Sequence, residues 1–407
     1  MKTNAKELFH YTKQKLASII FHFEHKTLPK YFTRESVLGF ENTALLILNM
    51  IKKSIKVELM NFFYQVDKQV PAPSRQAFSE AREKISFNAF KDFFEKSCEL
   101  ALNSDGARLC KGYRLFGVDG TSFIVGPLSK LADYFGESTT VKNKAMCRIS
   151  GIVDVLNDCI VDALVSPFRI GERALAIEQI KKLKPVSNAL FLLDRGYWSP
   201  VLTKEIIKNG QKFLMRLASN TGKTIVTDEN GGPYPLRRLS FILPSGETEV
   251  LLTNLTADEF SDNELFVLYA KRWGIETKYL ELKDRLQIDK FSGGSVNIIL
   301  QDIYATLYIS NLSAFICFEA DEAIKERTAD KRNKYEQKTN RSTCISTLRR
   351  RFIDICLIND AALMEAALQR LYDDISKDVI YINKSKPRTR NKRQLKDSRR
   401  HNKSSIL

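Results

Sequence analysis

Histidine is scarce in this sequence, with four residues in 407, at positions 10, 22, 25 and 401. All lie near the two ends, so a histidine-centred triad or a histidine-rich metal site in the middle of the chain is excluded. Cysteine offers no ligand set either. The seven residues, at 98, 110, 147, 159, 317, 344 and 356, are odd in number, scattered, and form no C-x-x-C pair. That pattern fits a reducing compartment better than a disulfide scaffold or a zinc site. The longest early apolar run, residues 44–51, is interrupted by Asn49 and is too short to span a bilayer. The first residues lack the basic start, apolar core and small-residue cleavage site of a signal peptide. No internal repeat is present. The expectation is a soluble, cytoplasmic protein.

One sign of charge is in excess: 64 Lys and Arg against 48 Asp and Glu, a net +16. Such a surplus favours a polyanionic partner, and nucleic acid is the default. The basic residues also cluster. Residues 384–403 hold ten Lys or Arg against one acid, Asp397. This reads as a disordered basic tail suited to the nucleic-acid phosphate backbone, with a merely solubilising tail as the plainer alternative.

The length allows several domains. Residues 1–105 read as a helical DNA-binding region. Within it, residues 74–86 (SRQAFSEAREKIS) form an amphipathic helix with Arg75, Gln76, Arg82 and Lys84, and Ser86 can cap the next helix. Two helices across so tight a junction suit a DNA-reading unit and suit a plain bundle equally. From 106 to 219 the order is strand, hairpin, helix, strand, helix, strand, which indicates a mixed α/β sheet. Asp119 lies in the first strand-like run, the hairpin turns at Asn157-Asp158, and a later strand ends on Asp194. Residues 220–257, rich in Gly, Thr and Pro, read as a small all-β insertion. Residues 258–320 carry a charged helix and then a buried apolar one. Further helices fill 321–383, and the tail is 384–407.

The charged helix, residues 263–286, has one glycine and no proline, with Asp262 as its candidate N-cap. At about 100° per residue, Tyr269, Arg272, Glu276 and Lys283 fall within an arc of roughly 60°. Leu268, Ile275, Leu282 and Leu286 form an apolar stripe beside it. A solvated charged edge is the ordinary alternative. The aligned phenol, guanidinium, carboxylate and ammonium also suit a phosphodiester site, in which the acid holds a metal and the others hold phosphate oxygens. Asp119 and Asp194 supply two more acids, 75 and then 82 residues apart along the chain to Glu276, so only a fold brings the three together. Three carboxylates suit Mg²⁺ or Mn²⁺, and two such ions can activate one oxygen and stabilise another as it leaves.

DGTSF at Asp119, DRGYWS at Asp194 and the Y-x2-R-x3-E-x6-K pattern of Tyr269, Arg272, Glu276 and Lys283 resemble the DDE transposases of the insertion-sequence-4 group. The resemblance runs from about residue 73 to 312. It implies a ribonuclease-H-like mixed sheet flanked by helices, with a β insertion between the second Asp and the Glu. It implies Mg²⁺-dependent cut-and-paste transposition on the inverted terminal repeats of the protein's own element. Asp119, Asp194 and Glu276 would be the metal ligands, with two ions expected. Tyr269, Arg272 and Lys283 would contact the DNA end. Arg195, Arg75 and Gln76 complete the expected DNA-binding set, and the synapsis of two ends implies a homodimer. A catalytically silent DNA-binding descendant and another ribonuclease-H-like nuclease are the alternatives. The sequence departs from some relatives in having no Trp in the β insertion, where Tyr234 or Phe241 can offer a π face to a flipped base.

Overall fold

A computed structural model describes residues 3–382, apart from 51, 53, 138–140, 223, 244–245 and 330–334. The basic tail expected at 384–407 lies outside the described residues. Six helices come first: α1 (Asn4–Ala17), α2 (Ile19–His25), α3 (Phe40–Asn49), α4 (Ile55–Val66), α5 (Arg75–Glu83) and α6 (Asn88–Leu102). Ser74 caps α5 by accepting from the Ala77 N–H. The Ser86 hydroxyl accepts from Asn88 N–H at 3.3 Å as α6 begins.

The sheet then builds from β1 (Arg114–Pro127), α7 (Leu128–Phe135), β2 (Lys144–Asp154), β3 (Cys159–Pro167), α8 (Glu172–Lys182), β4 (Ala189–Leu193), α9 (Pro200–Lys208) and β5 (Lys212–Leu217). The strand order is β3-β2-β1-β4-β5, followed by β7 (Thr248–Thr253) and β6 (Arg237–Ile242). The β3-β2-β1 ladder is antiparallel, while β1-β4 and β4-β5 are parallel. Three antiparallel strands continued by two parallel ones give the ribonuclease-H-like arrangement. The all-β segment is attached rather than free-standing, because β7 pairs antiparallel with β5 and extends the same sheet. Its residues Glu249–Thr253 are all buried, as an inner strand requires.

Every residue of β4 is buried. Alternation sends Leu190 and Leu192 to a small core with Leu265 and Leu268, and Phe191 and Leu193 to the main core on the other face. That main core is continuous. It runs from Leu8 and Phe9 of α1 through Phe90 and Phe93 of α6 to α12 (Val296–Thr328), α13 (Arg341–Leu357) and α14 (Ala361–Lys377). The N- and C-terminal helices therefore share their interior with the sheet. α12 is long and apolar enough to cross a membrane, but 94% of its most apolar window is buried within the protein. A short pair, β8 (Glu336–Thr339) with β9 (Val379–Ile382), ties the end of the described chain back beside α12.

The charged helix is not continuous. It is split into α10 (Asp262–Tyr269), a 3-10 turn (Ala270–Arg272) and α11 (Trp273–Asp284). Its N-cap is Ser261 rather than Asp262. The Ser261 hydroxyl accepts from Glu264 N–H, and the Glu264 carboxylate accepts from Ser261 N–H at 2.9 Å. A 3-10 turn advances about 120° per residue, so three such residues rotate α11 by about 60° relative to an unbroken α-helix. Gly274 permits the resulting approach, since a Cβ there would stand 2.8 Å from Val155 Cβ in the β2–β3 turn.

Candidate active site

Parallel pairing of β1 with β4 ends at Val118 opposite Leu193. Asp119 and Asp194 are the next residues on each strand. The two acids thus emerge side by side on strands spaced about 4.8 Å apart. Here β4 stops, while β1 continues beside β2, so a crevice opens where the sheet order turns back, the usual place for a ligand in such sheets. The Asp119 carboxylate accepts from Gly120 N–H at 2.9 Å, and Asp194 accepts from Gly196 N–H at 2.7 Å in the 3-10 turn Arg195–Tyr197. Burial pushes the Asp119 carboxyl up to about 6, and the charge of Asp194 adds to the rise, against the Gly120 N–H and Arg272.

The split helix lies over this crevice. The Tyr269 hydroxyl donates to the Leu193 carbonyl at 3.3 Å, and that of Tyr279 donates to the Asp119 carbonyl at 2.7 Å. A Cβ on Gly117 would stand 3.2 Å from Ile275, so α11 rides directly on β1. Arg272 is 8% exposed. It donates to Glu276 at 2.8 Å, and its guanidinium lies 5.8 Å from the Tyr269 ring and 5.4 Å from that of Trp273. Burial lowers the pKa of Arg272, but Tyr269, Glu276 and Asp119 together raise it by more. Arg272 therefore pairs with Glu276 and acts electrostatically on Asp119.

The Glu276 carboxylate accepts from the Arg272 guanidinium, which also acts on Asp119. Among the described residues, no three His, Cys, Asp or Glu side chains stand close enough, as they lie, to hold an ion. The donor chemistry still fits a hard divalent cation. Two carboxylates on adjacent strands act on each other with like charge, Arg272 and the Gly120 N–H oppose the rise at Asp119, and the donors they offer are oxygens. Lys283 is half-buried, with its ammonium 5.3 Å from the Phe123 ring.

Arg195 is exposed next to Asp194. Arg75 and Gln76 are exposed on α5, where Gln76 donates to Glu80 at 3.0 Å. Helix α5 packs on α3, α4 and α12, and no hydrogen bond or ion pair among the described residues joins either side chain to the acids. Arg82 is corrected outright as a DNA-reading residue. It is 1% exposed and pairs with Asp302 at 3.1 Å and Gln301 at 3.0 Å. Phe241 lies against the Phe266 ring at 5.0 Å, Tyr234 is half-buried, and Trp198 packs on the main core.

Several residues of the site escaped sequence reasoning. Tyr279 carries a buried hydroxyl to the Asp119 backbone. Tyr197 is buried beside the acids. Glu172, the first residue of α8, acts electrostatically on Asp119.

Residues 111–312 match the model of a family described as the transposase DDE domain. The putative transposase y4zB of Sinorhizobium fredii is 26% identical, over 44% of this chain and 55% of that protein. The transposase InsG for insertion sequence element IS4 of Escherichia coli is 23% identical, over 62% of this chain and 63% of that protein. The chain thus spans less than two thirds of the length of either relative. A solved structure of the piggyBac transposase synaptic complex with hairpin DNA aligns over 90% of this chain and 84% of its own, at 11% identity and a TM-score of 0.49.

Proposed function

We propose, from the premise that residues 111–312 are a DDE transposase domain of the insertion-sequence-4 group, that this protein binds the terminal inverted repeats of its own element and carries out metal-dependent cleavage and strand transfer on DNA. The reading is supported best by one observation: two acids side by side where the parallel pairing of β1 with β4 ends, with Arg272 acting on Asp119 and donating to Glu276. Asp119, Asp194 and Glu276 would hold one or two Mg²⁺ or Mn²⁺ ions. Such ions, when bound, activate an attacking oxygen and stabilise the leaving one.

The remaining work falls to the chain's own side chains. Arg272 is rigidly stacked and forked, so it suits a phosphate oxygen pair once Glu276 turns to a cation. Lys283 and Arg195 flank the crevice as further phosphate contacts, and Tyr269 fixes the strand end that bears Asp194. The helices before residue 105, with exposed Arg75 and Gln76, would bind DNA away from the scissile bond. The basic residues of 384–403 would add sequence-independent affinity. Two copies would hold two ends together, acting on chromosomal DNA in the bacterial cytoplasm.

The test is cleavage of linear DNA carrying the inverted ends that flank the gene. Asp119→Ala, Asp194→Ala and Glu276→Ala should each abolish Mg²⁺-dependent cleavage while end binding survives. Retained cleavage in any of the three would overturn the assignment. Cutting directed by DNA structure rather than end sequence would point to a different nuclease. End binding with no cleavage in the wild type would indicate a silent DNA-binding descendant.

A further inference from the structure

Helix α11 rests on one face of β1 and β2, and two glycines make room for it. Gly117 and Asp119 share a face of β1, and Gly151 of β2 stands opposite Asp119 on that same face. A Cβ on Gly117 would stand 3.2 Å from Ile275 Cβ, and one on Gly151 only 2.8 Å from the Tyr279 hydroxyl oxygen. Gly151 lies within β2, so the neighbouring hydroxyl, not a turn, makes glycine fit there. The opposite face of the sheet belongs to α8. There Glu172 stands over Gly120, and Gln179 accepts from the Ser150 hydroxyl at 2.7 Å.

Tyr279 is 8% exposed, and its hydroxyl donates to the Asp119 carbonyl at 2.7 Å. Burial holds its pKa well above the ordinary value, so the hydroxyl keeps its proton and remains a donor. Tyr279 follows Glu276 by three residues on α11, a spacing that sets the two side by side on adjacent turns. One turn of α11 is thus tied to the residue that bears the first acid, and the turn before it bears the third. A phenylalanine would bury the same ring. What the oxygen adds is a fixed depth and register, because it has one acceptor and a seat that no side chain occupies.

We propose that Tyr279 is a positioning residue of the candidate site: its hydroxyl, seated over Gly151, sets the place of Glu276 relative to Asp119. The inference rests on the reading of Asp119 and Glu276 as acids of one cation site. Glu276 pairs with Arg272, so its side chain must turn to reach a cation, while the helix beneath it stays held at Tyr279.

The test is Mn²⁺ binding by the full chain without DNA, read from the electron paramagnetic resonance signal of free Mn²⁺, beside single-turnover cleavage of end-bearing DNA. Tyr279→Phe removes one oxygen and should weaken Mn²⁺ binding about tenfold, the lower end for loss of a supporting hydrogen bond around a metal site. Gly151→Ala should weaken it further and slow cleavage about a hundredfold, because its methyl displaces the hydroxyl and shifts the turn that bears Glu276. In the double variant the methyl meets the ring carbon Cζ at 3.6 Å, an ordinary contact, so affinity should return to that of Tyr279→Phe alone. Unfolding in chelator checks that each variant is folded, and Tyr279→Phe carries the test alone if Gly151→Ala is not. Lower stability with wild-type Mn²⁺ affinity in Tyr279→Phe, alongside loss in Asp119→Asn, would overturn the positioning role and leave the acids standing. A double variant no tighter than Gly151→Ala would overturn the seat at Gly151. Wild-type affinity in both Asp119→Asn and Glu276→Gln would overturn the reading of the acids itself.

Discussion

Helix α11 carries two charge clusters about a turn apart, and they are built on opposite plans. At its inner end, Lys278 pairs with Asp158 at 2.9 Å and Glu281 at 3.0 Å, and Arg341 pairs with Glu281 at 2.7 Å and Asp158 at 3.0 Å. Two cations meet two acids there, with Arg285 at the rim. Lys278 is 1% and Glu281 8% exposed, while Asp158 and Arg285 keep the outer side of the cluster open to solvent. At the outer end, Asp119 stands beside Asp194, and Arg272 acts on Asp119 while it pairs with Glu276. Among the described residues, Arg272 Nε and the Tyr197 hydroxyl are left without hydrogen-bond partners. The first cluster is complete as it stands and fastens α11 to α13 and the β2–β3 turn. The second pushes one carboxyl up beside another and leaves polar groups unmet among the described residues, the condition expected at a functional site.

The sharpest way to break this contrast is to unbalance the closed cluster. Arg341→Met leaves Lys278 alone to hold Glu281 and Asp158, and should cost about 3 kcal/mol, the low end for a buried pair that loses one partner. Denaturant unfolding reads that loss, and cleavage per folded molecule should survive. An unchanged midpoint would show that the cluster does not hold the helix. A smaller effect, with a larger functional share, is expected from Gly274→Ala. The new methyl meets Val155 Cβ at 2.8 Å and should cost about 1–3 kcal/mol. By lifting the turn that bears Glu276, it should slow single-turnover cleavage more than the lost stability explains. Equal losses in both would mean that the approach of α11 to the β2–β3 turn serves packing alone.

The smallest effect is one of pH. Burial alone would raise the Glu281 carboxyl, but Lys278 and Arg341 outweigh it and hold the group well below the usual carboxylate range. Its folded value is therefore below its unfolded one. The stability it contributes is full above the ordinary carboxylate pKa and is lost as pH falls through the depressed folded value, a window below about pH 4. Unfolding measured across that window should steepen in the wild type and flatten in Glu281→Gln. Identical slopes would contradict the pairing.

Much of this was legible in the residues. Asp119 sits within one strand-like run and Asp194 ends another, and a buried strand that stops on an acid and a Gly turn has few other readings. The apolar stripe of Leu268, Ile275, Leu282 and Leu286 is buried as its spacing requires. The break at Ala270–Arg272 was not legible, because its residues are good helix formers and the cause is tertiary: Tyr269 is tied to Leu193, and Gly274 is pressed on Val155. Arg82 misled for a similar reason. An arginine on an amphipathic helix looks solvated until its partner, Asp302 on α12, is brought beside it by the fold. Glu172 gave no signal of its own, since its meaning lies in the space above Gly120. Local pattern identified the elements and the acids at their ends. Contacts between distant segments decided which charges are structural and which are left to act.

The central claim is that the third acid belongs with the other two although it now faces Arg272. Mn²⁺ titration of Glu276→Gln, beside Asp119→Asn and Asp194→Asn, tests it most directly. The account predicts that all three weaken Mn²⁺ binding in the full chain. Wild-type affinity in Glu276→Gln, with loss in both aspartate variants, would contradict it and leave that carboxylate as a partner of Arg272 alone.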